Sequence, residues 1–576
     1  MKNNRICKLA EAIYDSEKAE LFCRKLELLL SEYPPEKIKK TPEKLSGKDV
    51  LLIVYGDQIS QNNEKPLITT AKIIQKYTDG LINGLHILPF FPSSSDDGFA
   101  VCDYKKIAPE IGEWADLEMV CHNFRVMFDA VLNHVSASHE WVIESLKGNP
   151  DFADFCIETI PSKELEMVVR PRTLPLLTEF HHAKKGTVKL WTTFSPDQVD
   201  LNFNNPELLL KIIDVLLYYV EKGARFIRLD AVAFLWKEIG TECIHHPKTH
   251  AIIKLIRSIF DQYCPQVKLI SETNVPHQEN ISYFGQGDEA HLVYQFALPP
   301  LIAHAISKTD AQYLFNWAEQ LKIPENGCHF FNFTASHDGI GLRPIQNILP
   351  AAEIDFLTER AVKHGGFISC RTDPLKGESP YEINISYIDL LSHPEDNEEN
   401  IIKRFLLSQA IALALPGLPG IYFHSLFGSR SWPEGVKKTG AKRTINRQKL
   451  EADQLETELQ NPRSFRAKLL KDYLHILRIR LTEEAFSPDA SFTPFILHPA
   501  CFSFQRSQNQ NNVFCLHNLS TETIHLNLNH INHENKALNS ETFLQNLLLP
   551  ETIHPDSIIL GPLQFKWLSS NRYAQK

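Results

Sequence analysis

Ile227-Arg228-Leu229-Asp230-Ala231-Val232 is the stretch on which the fold turns. It ends a β-like run, Arg225 to Leu229, with a carboxylate and carries an arginine two positions earlier. Alternate residues of a strand face the same way, so Arg228 and Asp230 share one face. Similar apolar runs end in acids elsewhere: Phe128-Asp129, Ser271-Glu272 within Leu269-Ile270-Ser271-Glu272-Thr273, and His337-Asp338 within Ala335-Ser336-His337-Asp338-Gly339.

Working outward, eight short apolar runs alternate with helix-length segments. They are Leu51–Tyr55, Leu85–Pro89, Val126–Val131, Phe226–Leu229, Val267–Ser271, Leu292–Phe296, Phe330–Thr334 and Gly420–Phe423. This alternation predicts an α/β fold, a (β/α)8 TIM barrel over residues 48–483, although a doubly wound sheet gives a similar count. Two intervals are too long for simple connections and read as insertions: 135–203, a domain B, and 341–400, near the acceptor side of a barrel site. Residues 1–47 read as a helical extension, with Leu9, Ile13, Leu21, Leu26, Leu29 and Leu30 as its apolar stripe and Pro34-Pro35 as its end. From 484 to 576 the pattern alternates, as in Phe502/Phe504, Ile524/Leu526/Leu528 and Leu563/Phe565/Trp567, which predicts a small C-terminal β-sandwich.

Composition narrows the function classes. The chain has 576 residues, 43% hydrophobic and 23% charged, as in an ordinary globular protein. A net charge of −10 without a basic block argues against nucleic acid as a partner. No apolar stretch is long enough to span a bilayer, and Met1-Lys2-Asn3-Asn4-Arg5 leads into a charged amphipathic segment rather than a signal peptide. The eleven cysteines are scattered without a Cys-x-x-Cys pair, so cytoplasm is the expected compartment. No sustained heptad marks an oligomer interface; oligomeric state, a homodimer included, stays open.

In a barrel the carboxyl ends of the strands converge on one face, so acids distant in sequence meet. Retaining displacement at a sugar carbon needs one ionised carboxylate and one protonated acid roughly 5 Å apart. Arg228 would keep Asp230 ionised, and Glu272 would need a raised pKa to donate a proton. One strand-end acid is simply a surface charge, but three with Arg228, His134 and His337 are hard to explain that way. Cys243, His245, His246 and His250 could suggest a metal site. However, no Glu completes a His-Glu-x-x-His pattern and Pro247 interrupts the segment, so no metal is expected.

Four segments resemble the signature regions of the α-amylase superfamily in order and spacing: Asp129-Ala130-Val131-Leu132-Asn133-His134, Arg228-Leu229-Asp230-Ala231-Val232, Glu272-Thr273-Asn274-Val275 and Ser336-His337-Asp338-Gly339-Ile340-Gly341. The resemblance implies Asp230 as nucleophile, Glu272 as acid/base and Asp338 as third carboxylate, with His134 and His337 on the bound glucosyl ring. It narrows to the sucrose-phosphorylase subgroup through His86-Ile87-Leu88-Pro89-Phe90-Phe91-Pro92, Asp96-Asp97-Gly98-Phe99 and Ile445-Asn446-Arg447. That subgroup implies Asp96 and Arg447 clamping the far end of one glucose, with Phe99 stacked on it. It also implies inorganic phosphate as co-substrate and no cofactor.

No Gly-rich Lys-Ser/Thr phosphate loop is present. Phosphate would therefore use the vacated acceptor site, with Arg170 and Arg172 as candidates unless they are solvated loop charges. Glu382, in Ser379-Pro380-Tyr381-Glu382, stands where sucrose phosphorylases carry a glutamine, and Leu177 where they carry a phenylalanine. With the N-terminal helices, these departures look more like the glucosylglycerate phosphorylases of the subgroup. The resemblance thus implies 2-O-α-D-glucosyl-D-glycerate and phosphate as the small-molecule partners. Glu382 would pair with an acceptor-site cation or bind an acceptor hydroxyl. The alternatives are sucrose or sucrose-6-phosphate phosphorylase, or a hydrolytic α-glucosidase.

Overall fold

The structure, a computed structural model, describes residues 4–373, 377–530 and 543–570. Its centre is a closed barrel of eight parallel strands, each hydrogen-bonded to its sequence neighbours. The strands are β1 (Leu51–Val54), β2 (Gly84–Ile87), β3 (Arg125–Val131), β4 (Ala224–Asp230), β5 (Lys268–Ser271), β6 (Leu292–Tyr294), β7 (His329–Asn332) and β8 (Leu418–Tyr422), with β8 closing on β1. These segments pack inside the ring and under the helices at once, so they read as near-continuous apolar runs. The expected (β/α)8 barrel is therefore present, and each expected run overlaps one strand. The exceptions to apolarity are informative: His86 and Asp129 are fully buried inside the ring and Arg228 is 2% exposed.

Outside the ring lie helices such as α3 (Pro206–Glu221) and α4 (Pro247–Tyr263). Asn205 caps α3 by accepting from the Glu207 N–H, and Pro206 occupies its first turn, where a missing N–H costs nothing. Two N-terminal helices, α1 (Asn4–Ile13) and α2 (Ser16–Ser31), lie against α4 and α3 respectively. Lys25 Nζ pairs with Glu207 at 2.5 Å and the Tyr33 hydroxyl donates to Asp214 at 2.7 Å. One residue of the expected stripe faces the other way: Leu21 is 39% exposed, while Phe22 is buried. Asp15 resets the helical phase by capping α2 through the Lys18 N–H.

The first long interval holds a helix, Glu140–Lys147, and an antiparallel hairpin, Leu177–His182 with Gly186–Trp191. The second holds a helix, Ala351–Lys363, and a hairpin, Phe367–Asp373 with Gly377–Asn384. After the barrel come a six-stranded antiparallel sheet and a separate two-stranded sheet, Ile524–Leu526 with Ile558–Leu560. Phe514, Leu516, Ile524, Leu526, Ile558 and Leu560 belong to one apolar core, the two-layer arrangement that alternation predicts.

Two fully buried arginines meet where this sheet domain joins the barrel: Arg506 on a sheet strand, and Arg480 on the helix Phe465–Thr482 that precedes the sheet domain. Arg506 donates to Ala414 O at 2.6 Å and Ser487 O at 2.7 Å, and Arg480 donates to Leu413 O at 3.0 Å and to Gly47 O. Leu413 and Ala414 end the helix Glu398–Ala414, whose last carbonyls have no partner within the helix. All eleven cysteines are free thiols. Among the described residues no helix is long and apolar enough to cross a membrane.

Candidate active site

The site is built from the carboxyl ends of β3, β4, β5 and the loop after β7. Asp129 and Arg228 are opposite each other in the β3–β4 register, so their side chains meet inside the ring. Arg228 Nη1 contacts Asp129 Oδ1 and lies 2.7 Å from Asp230 Oδ1, while its Nη2 is 3.9 Å from Glu272 Oε2. His86 Nε2 lies 2.7 Å from the other oxygen of Asp129. Asp129 is thereby saturated by two barrel side chains.

Ala231 follows Asp230 in the left-handed region, at φ 49°, a conformation unusual for a residue with a Cβ. The Ala231 N–H donates to Glu272 Oε2 at 2.9 Å, and the Glu272 N–H donates to Leu229 O at 3.1 Å. The ends of β4 and β5 are thus stitched together with their acids side by side. Asp338 reaches the same pocket from the β7 loop, where Gly339 is required: a Cβ there would lie 2.6 Å from Ile383 O.

One guanidinium cannot neutralise three buried acids. Burial raises the Asp230 carboxyl; Arg228 pulls it down, and Glu272, Asp129 and Asp338 push it back up. Burial also raises Glu272, with Arg228 opposing and Asp338 adding to the rise. Geometry decides which acid keeps the charge: Arg228 is 2.7 Å from Asp230 but 3.9 Å from Glu272, so the proton belongs on Glu272. Asp338 behaves oppositely. Burial pushes it up, yet Arg443, His337 and Arg447 outweigh that and hold it well below the usual carboxylate range. Burial pushes His134 and His337 down, so both imidazoles are neutral.

Asp96, Phe99, His134, Arg172, His337 and Tyr381 line the pocket with the three acids, together with Phe194, Gln198, Asn274 and Arg443. The cavity measures about 480 Å³ including its open mouth, the size of a small-ligand site. His134 Nε2 lies 3.1 Å from Phe99 O and from Gln198 Nε2, and Gln198 also donates to Asp96 at 3.2 Å. Phe99 stacks on His337, ring centres 5.0 Å apart and nearly parallel, so one face of Phe99 is already occupied.

Five expected site residues lie elsewhere than the pocket wall. Arg228 stands behind Asp230 in the barrel. Arg447 pairs with Asp97 rather than Asp96, donates to His337 O at 2.7 Å and lies 3.7 Å from Asp338. Asp96 and Asp97 both have left-handed backbones, φ 54° and 48°, and side chains directed to different partners. Glu382 is fully buried and accepts from Arg443 at 3.0 and 2.5 Å, so it meets a cation rather than open pocket. Leu177 packs with Leu165, Val168, Leu176 and Trp191 in a small core of the first insertion, because the hairpin it starts turns it inward there. Arg170, the other phosphate candidate, is half-buried and does not line this pocket.

Sequence reading missed Arg443, which bridges Asp338 Oδ1 at 2.5 Å and Glu382 Oε2 at 2.5 Å. Its position four residues before Arg447 was the available signal. Cys243 and the nearby histidines do not converge: His245, His246 and His250 face Glu279, Glu238 and Glu289 separately, and no metal-binding cluster occurs among the described residues.

Residues 73–338 match the α-amylase catalytic domain. The glucosylglycerate phosphorylase of Spirochaeta thermophila is 51% identical over 77% of this chain and 75% of its own length. That of Escherichia coli is 43% identical over 90% of this chain and 91% of its own. Among solved structures, the sucrose 6F-phosphate phosphorylase of Thermoanaerobacter thermosaccharolyticum superposes with a TM-score of 0.72 at 25% identity, covering 82% of this chain and 94% of that one. With a closed barrel whose strand ends gather three acids, the chain belongs to the glucosylglycerate phosphorylase family of the α-amylase superfamily.

Proposed function

We propose that the protein is a retaining glucosyl phosphorylase that converts 2-O-α-D-glucosyl-D-glycerate and phosphate to α-D-glucose 1-phosphate and D-glycerate. The observation that carries this reading is the unequal hold of Arg228 on the two neighbouring acids, 2.7 Å from Asp230 but 3.9 Å from Glu272, whose carboxyl burial raises. Asp230 attacks the anomeric carbon as its bond to the glycerate oxygen breaks, and Glu272 gives that oxygen its proton. The product of this step is a glucosyl ester on Asp230 and free glycerate. Phosphate then attacks the same carbon, its proton passing to Glu272, and Asp230 leaves as a carboxylate. Asp338, ionised by Arg443, faces the ring hydroxyls and the developing positive charge.

Phosphate and water compete at the second step, so phosphate dependence is the decisive property. Incubation with glucosylglycerate and phosphate should release glucose 1-phosphate. No such product, or equal cleavage without phosphate, would overturn the reading. Sucrose and sucrose 6-phosphate, offered in parallel, should be poorer donors, and a preference for either would reassign the leaving group.

A further inference from the structure

Lys237 is a buried ionisable group that the chemistry above leaves unused. It follows Asp230 by seven residues, past a short 3-10 turn, Val232–Phe234. Its side chain is 3% exposed, and its Nζ lies 2.8 Å from Asp200 Oδ2 and donates to Asn133 Oδ1 at 2.6 Å. Asp200 and Asn133 are themselves fully buried. One ammonium thus joins the loop after β4, the residue before the short strand His134–Ser136, and the end of its partner strand Gln198–Asp200. These segments carry pocket wall: His134 lies opposite Asp200 in the register, and Gln198 opens the second strand. Asp200 also accepts from the Thr193 N–H at 2.8 Å and the Thr193 hydroxyl at 2.6 Å. The next residue, Phe194, packs against His134 with ring centres 5.0 Å apart and edge-on to Phe234 at 5.5 Å.

The same contacts set the state of His134. Asn133 Nδ2 donates to Asp200 Oδ2 at 3.1 Å and lies 3.3 Å from His134 Nδ1. The single imidazole hydrogen then belongs on Nε2, 3.1 Å from Phe99 O. A second hydrogen, on Nδ1, would face the amide hydrogens of Asn133. Burial pushes His134 down; Asp200, Phe99 O and Asp96 pull it up, and Lys237 pushes it down again. Burial lowers Lys237 as well, while Asp200 and Cys243 hold it up. Without the ammonium, Asp200 would be a buried charge among neutral donors, and His134 is a neighbour able to answer it with a proton.

We propose that Lys237 is a positioning residue for the sugar pocket: its ammonium neutralises Asp200, keeps His134 in one neutral tautomer and holds the Phe194 segment against it. This rests on the reading of the pocket as a glucosyl site. Lys237 touches no reacting atom. It acts through Asn133 and Asp200, so its charge matters as much as its contacts.

The test compares wild type, Lys237→Met, Lys237→Arg and the double variant Lys237→Met/Asp200→Asn in the full chain. α-Glucosyl fluoride is the donor, and fluoride release is followed from about pH 5 to about pH 9, the range in which a histidine titrates. Lys237→Met should lose about 10- to 100-fold in kcat/KM, the cost of a displaced binding group. Its acid limb should move up by about one pH unit, because Asp200 now draws a proton onto His134. Lys237→Arg keeps the charge and should keep the wild-type limb. The double variant, with charge removed on both sides, should return the limb to the wild-type position although it has lost more contacts. A lysine that serves architecture alone would cost activity with every contact removed and leave the limb in place. An unmoved limb in Lys237→Met, or a double variant whose limb stays with Lys237→Met, therefore overturns the proposal. If Lys237→Met does not fold, the position of the double variant's limb decides; a double variant that also fails to fold assigns Lys237 to architecture and overturns the proposal too. Wild type that releases fluoride but makes no glucose 1-phosphate from glucosylglycerate fails the phosphorylase reading and leaves this comparison intact. If wild type releases no fluoride, calorimetric titration with glucose over the same pH range gives the same comparison.

Discussion

Arg228 and Arg443 do similar work in different settings. Each holds two carboxylates: Arg228 takes Asp129 and Asp230, and Arg443 takes Asp338 and Glu382. Arg228 projects from a barrel strand, where register alone puts Asp129 opposite it. Arg443 comes from a short 3-10 segment, Lys442–Asn446, and reaches its acids across separately built loops. In both, one acid faces the pocket and the other is buried behind the guanidinium. The lesson is that the inner acid sets the orientation of the arginine, and the arginine sets the charge of the outer acid.

The strongest way to break this equivalence is to remove the charge from an outer acid. Asp230→Asn should lower turnover by at least ~10⁴-fold, because it is the atom donor to the covalent bond. Retention of a tenth of wild-type activity would refute the nucleophile assignment. Glu272→Gln should cost roughly 10²- to 10⁴-fold with glucosylglycerate. The first half-reaction should lose much less with α-glucosyl fluoride, whose leaving group needs no proton, and equal losses with both donors would remove Glu272 from the acid role.

A smaller effect sharpens the comparison on the loop side. Arg443→Gln takes away the nearest cation of Asp338, so its carboxyl rises and the acid limb of the pH–rate profile moves to higher pH. We expect kcat/KM to fall roughly 10- to 100-fold, with Glu382→Gln non-additive to it by about 0.5–3 kcal/mol in a double-mutant cycle. Additive losses would show that Glu382 does not act through Arg443.

The smallest effect probes the strand side through stability. Burial raises Asp129, but Arg228 and His86 outweigh it and bring the carboxyl from 3.8 to about 2. A depressed carboxylate stabilises the fold above its ordinary pKa, and that contribution is lost as pH falls from about 4 through about 2. It amounts to roughly 2 kcal/mol. Denaturant titrations should show Asp129→Asn with a flatter stability curve than wild type over that window, and parallel curves would exclude the linkage.

This contrast also explains what could be read from sequence. The barrel and its acids were legible because a strand buried on both faces leaves an apolar run, and a functional carboxylate must interrupt that run at its end. Loop residues carry no such period. Arg443, between Lys442 and Thr444, carries no such signature. The Asp97 contact of Arg447 depends on two consecutive left-handed residues, which no pattern announces. Leu177, singled out where sucrose phosphorylases carry a phenylalanine, packs against a small core of the first insertion, a placement that no local pattern announces.

The arginines beneath the barrel have a consequence of another kind. Arg480 and Arg506 close the open carbonyls at the end of the helix Glu398–Ala414 from opposite sides of the barrel–sheet boundary. Pulling the sheet domain away would strand both a bare cation and the helix end it caps, exposing the barrel floor in the same event. We therefore expect the two bodies to melt in one transition, with the C-terminal sheet acting as a keystone of the barrel rather than an appendage.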